Sequence, residues 1–145
     1  MSRLHLHIAV QDLDKNIRFY NALFDHAPTV QQSDYAKWEL ADPAVNFAIS
    51  THGARTGLDH VGIQTDDTTE LQSIQARLQQ AGIQGHAQTD ASCCYARSDK
   101  YWTQDPQGIA WETFHTLASI PTFGSTGADK SARACCLPSN RTGCC

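Results

Sequence analysis

A chain of 145 residues with 11 Lys and Arg against 15 Asp and Glu, a formal charge of −4, offers no basic surface for a nucleic-acid partner. Hydrophobic residues make up 41% and charged residues 18%, which excludes a disordered polymer and suits one domain with a sufficient core of its own. No apolar run approaches the ~20 residues of a membrane span, and MSRLHLHIAV does not read as a secretory signal, so the expected location is the cytoplasm, without a membrane partner.

Taken in chain order, residues 4–10 read as a strand that ends at Gln11-Asp12. A helix follows, with Leu13, Ile17, Tyr20 and Phe24 on one face. Short strands are expected at 36–40 and 45–50, separated by the turn signal Asp42-Pro43. The pattern then restarts with a strand at 58–65 and a helix that buries Leu71, Ile74, Leu78 and Ala81 and stops at Gly82. Asp67 and Glu70 have the spacing of a capping box at its start. Strands are expected at 83–88, 94–98, 101–103 and 109–114, with Asp105-Pro-Gln-Gly108 as the turn before the last. From about Leu117 the chain is rich in Ser, Thr, Gly, Ala and Pro and shows no apolar period, so 118–145 reads as a flexible tail.

The two halves share a frame. His5-x₄-Val10-x-Asp12 and His60-x₄-Thr65-x-Asp67 each lead into a helix, at a constant offset of 55 residues. The expected organisation is therefore a 1–117 domain of two modules, about 1–54 and 55–117, whose sheets pair into a cupped surface with His5 and His60 facing each other. A lone strand histidine is most often a core or surface residue. Two histidines in register, with Glu112 on the last strand between Trp111 and Phe114, point instead to a divalent metal site. The same alignment sets Ala48 opposite Glu112, and alanine cannot coordinate. Three protein ligands and open positions are the pattern of non-haem Fe(II) centres that bind O₂. His7 competes, because it shares the face of His5, but the register selects His5 and leaves His7 as a supporting partner. His26, His52, His86 and His115 have no such register and read as surface or packing residues.

The six cysteines form three adjacent pairs, Cys93–Cys94, Cys135–Cys136 and Cys144–Cys145, a spacing unlike a zinc site. In a reducing compartment each pair is a dithiol suited to a soft, thiophilic atom. Adjacent strand residues face opposite ways, so Cys93 and Cys94 can hold one atom only at a loop or bulge. Two buried apolar cysteines and a redox-active vicinal disulfide are the other readings of that pair.

The paired modules, with His-x₄-Val-x-Asp and a helix ending Ile-Arg-Phe-Tyr-Asn-Ala-Leu-Phe, resemble the vicinal oxygen chelate superfamily of glyoxalases, bleomycin-resistance proteins and extradiol dioxygenases. Met1-Ser-Arg-Leu-His5, Leu58-Asp-His60, Cys93-Cys-Tyr-Ala96, Asp99-Lys-Tyr-Trp102, Pro106-Gln-Gly108 and Trp111-Glu112 resemble, within it, the carbon–arsenic lyases and their cadmium-induced relatives, over about 1–116. That resemblance implies an α+β fold of two paired βαβββ modules forming a cupped mixed sheet. It also implies Fe(II)- and O₂-dependent cleavage of the C–As bond of trivalent organoarsenicals such as methylarsenite, by a monomer or homodimer. His5, His60 and Glu112 would hold the metal, and Cys93 and Cys94 the arsenic; Cys135, Cys136, Cys144 and Cys145 match no catalytic motif. Sequestration of arsenic or cadmium, or another dioxygenase or thiol-transferase activity of the superfamily, are the alternatives.

Overall fold

The structure, a computed structural model, describes residues 1–124. The tail cysteines Cys135, Cys136, Cys144 and Cys145, and the flexibility expected of the tail beyond 124, lie outside the described residues.

The first module runs β1 (Arg3–Ala9), α1 (Leu13–Phe24), β2 (Val30–Gln31), β3 (Tyr35–Leu40) and β4 (Val45–Ser50). The second runs β5 (Gly57–Gln64), α2 (Thr68–Gln80), β6 (Gly85–Cys93), β7 (Ala96–Gln104) and β8 (Ala110–Ser119). Both are βαβββ, and they share one curled mixed eight-stranded sheet in the order β2-β3-β4-β1-β5-β8-β7-β6. β1 and β5 lie antiparallel at its centre, each with the last strand of its own module parallel on its other side.

Strand alternation sorts the side chains onto two faces. Ala36, Trp38, Leu40, Phe47 and Ile49 leave the outer face and pack with Val10, Leu13 and Ile17 into the main core beneath α1. Burial of one such large side chain contributes about 1.5–3 kcal/mol. Trp38 is fully buried, and its indole N–H is satisfied by Asn21 Oδ1 and the His26 carbonyl, each at 3.1 Å. The inner, concave face carries the polar residues His5, His7, Asn46, Ser50, His60, Lys100 and Glu112, all buried.

Both helices start on an aspartate that accepts a hydrogen bond from the amide three residues on: Asp12 from Lys15 at 2.9 Å and Asp67 from Glu70 at 2.8 Å. The reciprocal half of the expected capping box is displaced by one residue. Glu70 Oε2 accepts from the Asp66 amide and from Ser2 Oγ, which ties the N-terminus to α2. Leu71 and Ile74 are buried as expected, whereas Leu78, in the last turn, is half-buried and Ala81, already the C-cap, is exposed.

Three further strand expectations are corrected. β2 escaped notice because two residues carry no periodicity. The stretches expected at 94–98 and 101–103 merge into one strand, β7, which starts only at Ala96 and is paired throughout with β8, while 94 and 95 form the turn before it. β8 continues to Ser119, past the strand end expected at 114, and 120–124 fold back over the β6–β7 hairpin.

Candidate metal centre

Three central strands bring His5, His60 and Glu112 to one point of the concave face, all three buried. The strand registers explain the meeting. His5 opposes Gly62 and His7 opposes His60 across the β1–β5 pair, which is a local two-fold arrangement. His7 neighbours Ala48 in β4, and Gly62, its counterpart 55 residues on, neighbours Glu112 in β8. Ala48 and Glu112 thus occupy equivalent places, as the repeat alignment expects. Gly62 can only be glycine, because a Cβ there would overlap the Glu112 carbonyl.

His5 Nε2 and His60 Nε2 stand 3.1 Å apart, and Glu112 Oε2 lies 3.5 Å from the first and 3.3 Å from the second. An ion about 2.0–2.2 Å from three such donors needs donor spacings of about 3.0–3.5 Å, so the residues present fit a divalent metal. Both rings keep Nε2 inward by engaging Nδ1 elsewhere: His5 donates to the Asn46 carbonyl at 3.0 Å, His60 to Asp59 Oδ2 at 2.8 Å. His7 faces the same cup but turns Nε2 to Ser50 Oγ at 2.9 Å; its group of potential ligands is Asp59 and His60, not His5 and Glu112.

Electrostatics distinguish the two inward-facing imidazoles. Burial, together with the His60 charge, lowers His5 to about 4. Burial also disfavours the charged form of His60, but hydrogen bonds to Asp59 and Glu112 outweigh it and raise that ring to about 9. Burial disfavours ionised Glu112 too, yet the Lys100 charge and the His60 hydrogen bond hold it far below the usual carboxylate range. Lys100, itself buried, donates to Glu112 Oε1 at 2.5 Å and leaves Oε2 to the histidines.

The dithiol lines the same cavity as these groups, together with Tyr35, Lys37, Ala48 and Phe114. Cys93 ends β6 and pairs with Ala96, so Cys94 and Tyr95 form the two-residue turn of the β6–β7 hairpin. Both have positive φ, 57° and 60°, as a type I′ turn requires. The turn breaks strand alternation and sets the two thiol Sγ atoms on one side, 2.9 Å apart. The loop geometry that joint use of the thiols demands is therefore present.

Chain segments from elsewhere hold this turn. The Cys94 amide donates to the Phe123 carbonyl, and Ile120 N–H donates to the Tyr95 carbonyl at 2.9 Å. The Tyr95 hydroxyl donates to Asp34, which also engages His52 Nε2 at 2.7 Å. Phe123 stacks on His52 with ring centroids 3.8 Å apart. His52 is thus a packing residue; His26 and His86 are exposed, and half-buried His115 faces the Thr65 carbonyl.

Sequence reasoning passed over Asp59, Lys100 and the 120–124 segment. Lys100 shares strand parity with Ser98 and Trp102, and that parity would have placed it inside the cup. Nothing in the sequence marks Asp59, since simple alternation sends it outward.

Known proteins resemble this chain in sequence and fold. The family model described as the glyoxalase/bleomycin resistance protein/dioxygenase superfamily matches residues 3–113. A trivalent organoarsenical cleaving enzyme of Bacillus sp. (strain MD1) is 33% identical over 148 residues, covering 95% of this chain and 92% of that protein. Cadmium-induced protein CadI of Mycobacterium tuberculosis (strain H37Rv) is 33% identical over 142 residues, covering 94% and 93%. Among solved structures, an extradiol ring-cleaving dioxygenase from B. fuscum superposes with a TM-score of 0.61 at 16% identity, covering 81% of this chain and 33% of that one, a likeness of fold. No helix among the described residues is long and apolar enough to cross a membrane. With the paired βαβββ modules, the family match over most of the chain and relatives at one-third identity, the chain belongs to the glyoxalase/bleomycin resistance protein/dioxygenase superfamily.

Proposed function

We propose that the protein is an Fe(II)- and O₂-dependent enzyme that cleaves the carbon–arsenic bond of trivalent organoarsenicals such as methylarsenite, releasing arsenite. The observation that carries the reading is one cavity lined both by a two-histidine, one-carboxylate donor set and by a dithiol on a tight turn. Relatives named trivalent organoarsenical cleaving enzymes support the choice of substrate.

In this reading Cys93 and Cys94 bind the substrate. Methylarsenite carries two hydroxyls and one methyl on arsenic. The two thiols form two As–S bonds, and their protons leave with the hydroxyls as two waters. The methyl is then the one remaining substituent, and the fixed turn aims it into the cavity. His5, His60 and Glu112 hold the metal. Fe(II), when bound there, supplies the binding and activation of O₂. Ala48, at the place equivalent to Glu112, offers no fourth donor and would leave room beside a bound metal. Phe114 and Tyr35 line the cavity and keep bulk water from the reacting bond. The overall balance is closed without an external reductant: methylarsenite plus O₂ equals arsenite plus formaldehyde.

Chelation makes the two thiols act as a unit, since the second As–S bond forms at high effective concentration. Cys93→Ser and Cys94→Ser should therefore each lose nearly as much arsenite release as the double variant while keeping wild-type iron content. Arsenic speciation and iron content measured together decide it. A single variant that cleaves methylarsenite at the wild-type rate would remove this mechanism and favour a generic oxygenase of the same fold.

A further inference from the structure

We infer that Asp59 is a positioning residue for the metal centre: a β-bulge turns its carboxylate onto His60 Nδ1, and this aims Nε2 of that ring at His5 and Glu112. The inference rests on the metal centre proposed above and extends it to a residue that does not line the cavity.

The bulge is visible in the register. His7 opposes His60, but the next residue of β1, Ile8, opposes Leu58, so Asp59 is the extra residue of β5. A bulge re-aims a side chain that regular alternation would send to the opposite face. Leu4, the counterpart of Asp59 at the 55-residue offset, shows the unbulged outcome: it points outward and is 46% exposed. Asp59 instead reaches His60 Nδ1 at 2.8 Å, with its side chain only 22% exposed.

The two modules therefore treat equivalent rings differently. His5 donates Nδ1–H to a main-chain carbonyl, that of Asn46. Asn46 neighbours His5 in β4, and Ala110 holds the corresponding place in the second module, yet His60 goes to Asp59. A carboxylate partner fixes the tautomer more firmly than a carbonyl and makes the imidazole a stronger donor. His60 is thus the anchoring histidine and His5 the weaker one.

His7, Asp59 and His60 also lie close enough to hold an ion themselves. A ring that donates Nδ1–H to Asp59 cannot ligate through Nδ1, and the Asp59 oxygen that meets His7 Nδ1 at 3.9 Å is the same Oδ2 that accepts from His60, so the group is a support rather than a second site.

The test uses Co(II) as the probe with the full chain. Affinity is read by chelator competition, ligand field by the visible absorption of bound Co(II), and folding by thermal melting, for wild type, Asp59→Ala, Asp59→Asn, His60→Ala and His7→Ala. Asp59→Ala should lose about 10–100-fold in affinity and shift the Co(II) spectrum. Asp59→Asn, which keeps an acceptor without the charge, should fall between. His7→Ala should keep the wild-type spectrum. Wild-type affinity and spectrum in Asp59→Ala would overturn the inference and leave the metal centre standing. Co(II) binding lost in His7→Ala would also overturn it, by making the group a site. A wild type that binds no Co(II), or a His60→Ala variant that binds as wild type does, would overturn the centre and the inference together. If the Asp59 variants do not fold, the Zn(II)-loaded wild type decides: a slowly exchanging His60 Nδ1 proton in the NMR spectrum is expected, and its absence overturns the inference. None of these readouts uses arsenic, so failure of the lyase reading is seen separately.

Discussion

Each oxygen of Glu112 has its own task. Oε1 receives Lys100 at 2.5 Å, while Oε2 faces the two imidazole nitrogens at 3.3 and 3.5 Å. Breaking a buried pair by removing one partner costs about 3–5 kcal/mol, because the remaining charge stays buried. Lys100→Met should therefore destabilise the metal-free protein by about that amount. A bound divalent cation compensates the same carboxylate, so the loss should shrink in the metal-loaded protein. Denaturant unfolding with and without Co(II) measures the difference, and an equal loss in both states would refute this division of labour. The histidines set the pH dependence. Burial lowers His5 to about 4 and His7 to about 3 from the ordinary 6.5, so between pH 4 and 6.5 the unfolded chain takes up protons that the native protein refuses. Stability rises with pH over that window. His60, raised to about 9, holds a native proton that the unfolded chain loses above 6.5, so its contribution fades as pH climbs to 9. The metal-free protein should be most stable near pH 6.5, and unfolding midpoints across pH 4–9 test this. A metal must displace that proton, so affinity should rise about tenfold per pH unit as pH climbs toward 9 and then level.

The β6–β7 hairpin is the element on which the proposed substrate capture depends. Cys94 and Tyr95 both sit at positive φ without being glycine, a conformation that costs about 1–3 kcal/mol for each residue and persists only where its surroundings impose it. The surroundings are Phe123, Ile120 and Asp34, two of which lie beyond the boundary that composition suggested. Truncation after 124 should leave the dithiol turn and arsenical binding intact. Truncation after 117 should keep a cooperative melt but weaken binding of a trivalent arsenical, which titration against the two proteins would reveal. Equal binding by both would mean that the turn holds itself. The reason this segment was illegible is physical: 120–124 is anchored by a single stacked ring and main-chain bonds, neither of which leaves a periodic pattern. Where pattern exists, the elements were readable, as with α1, whose apolar face at Leu13, Ile17, Tyr20 and Phe24 packs on the core. The bulge at Asp59 is the opposite case, since one extra residue inverts an alternation that the sequence displays plainly.

At the scale of the whole molecule, duplication explains why so much of the centre was legible. A constant offset links His5 with His60, and equivalent strand neighbours link Ala48 with Glu112. The donors are divided among three strands distant in sequence, and only the repeat could announce that they meet. What the repeat could not announce is where the halves diverge, and Asp59, Lys100 and the dithiol turn all lie in the second module. Besides His5, the first module lends the cavity Ala48 and Tyr35, which are walls without ligands. In the proposed reaction His5, His60 and Glu112 hold the metal and the Cys93–Cys94 turn holds arsenic in the same cavity, and that reaction is the central claim. Its most direct measurement is arsenic speciation and O₂ uptake after anaerobic loading with Fe(II), addition of methylarsenite and admission of O₂. Arsenite and formaldehyde should appear in equal amounts, one of each per O₂ consumed, and both should vanish in Glu112→Ala. Methylarsenite that remains intact on the iron-loaded wild type under O₂, held by Cys93 and Cys94 without turnover, would contradict the claim and make the protein a sequestering one.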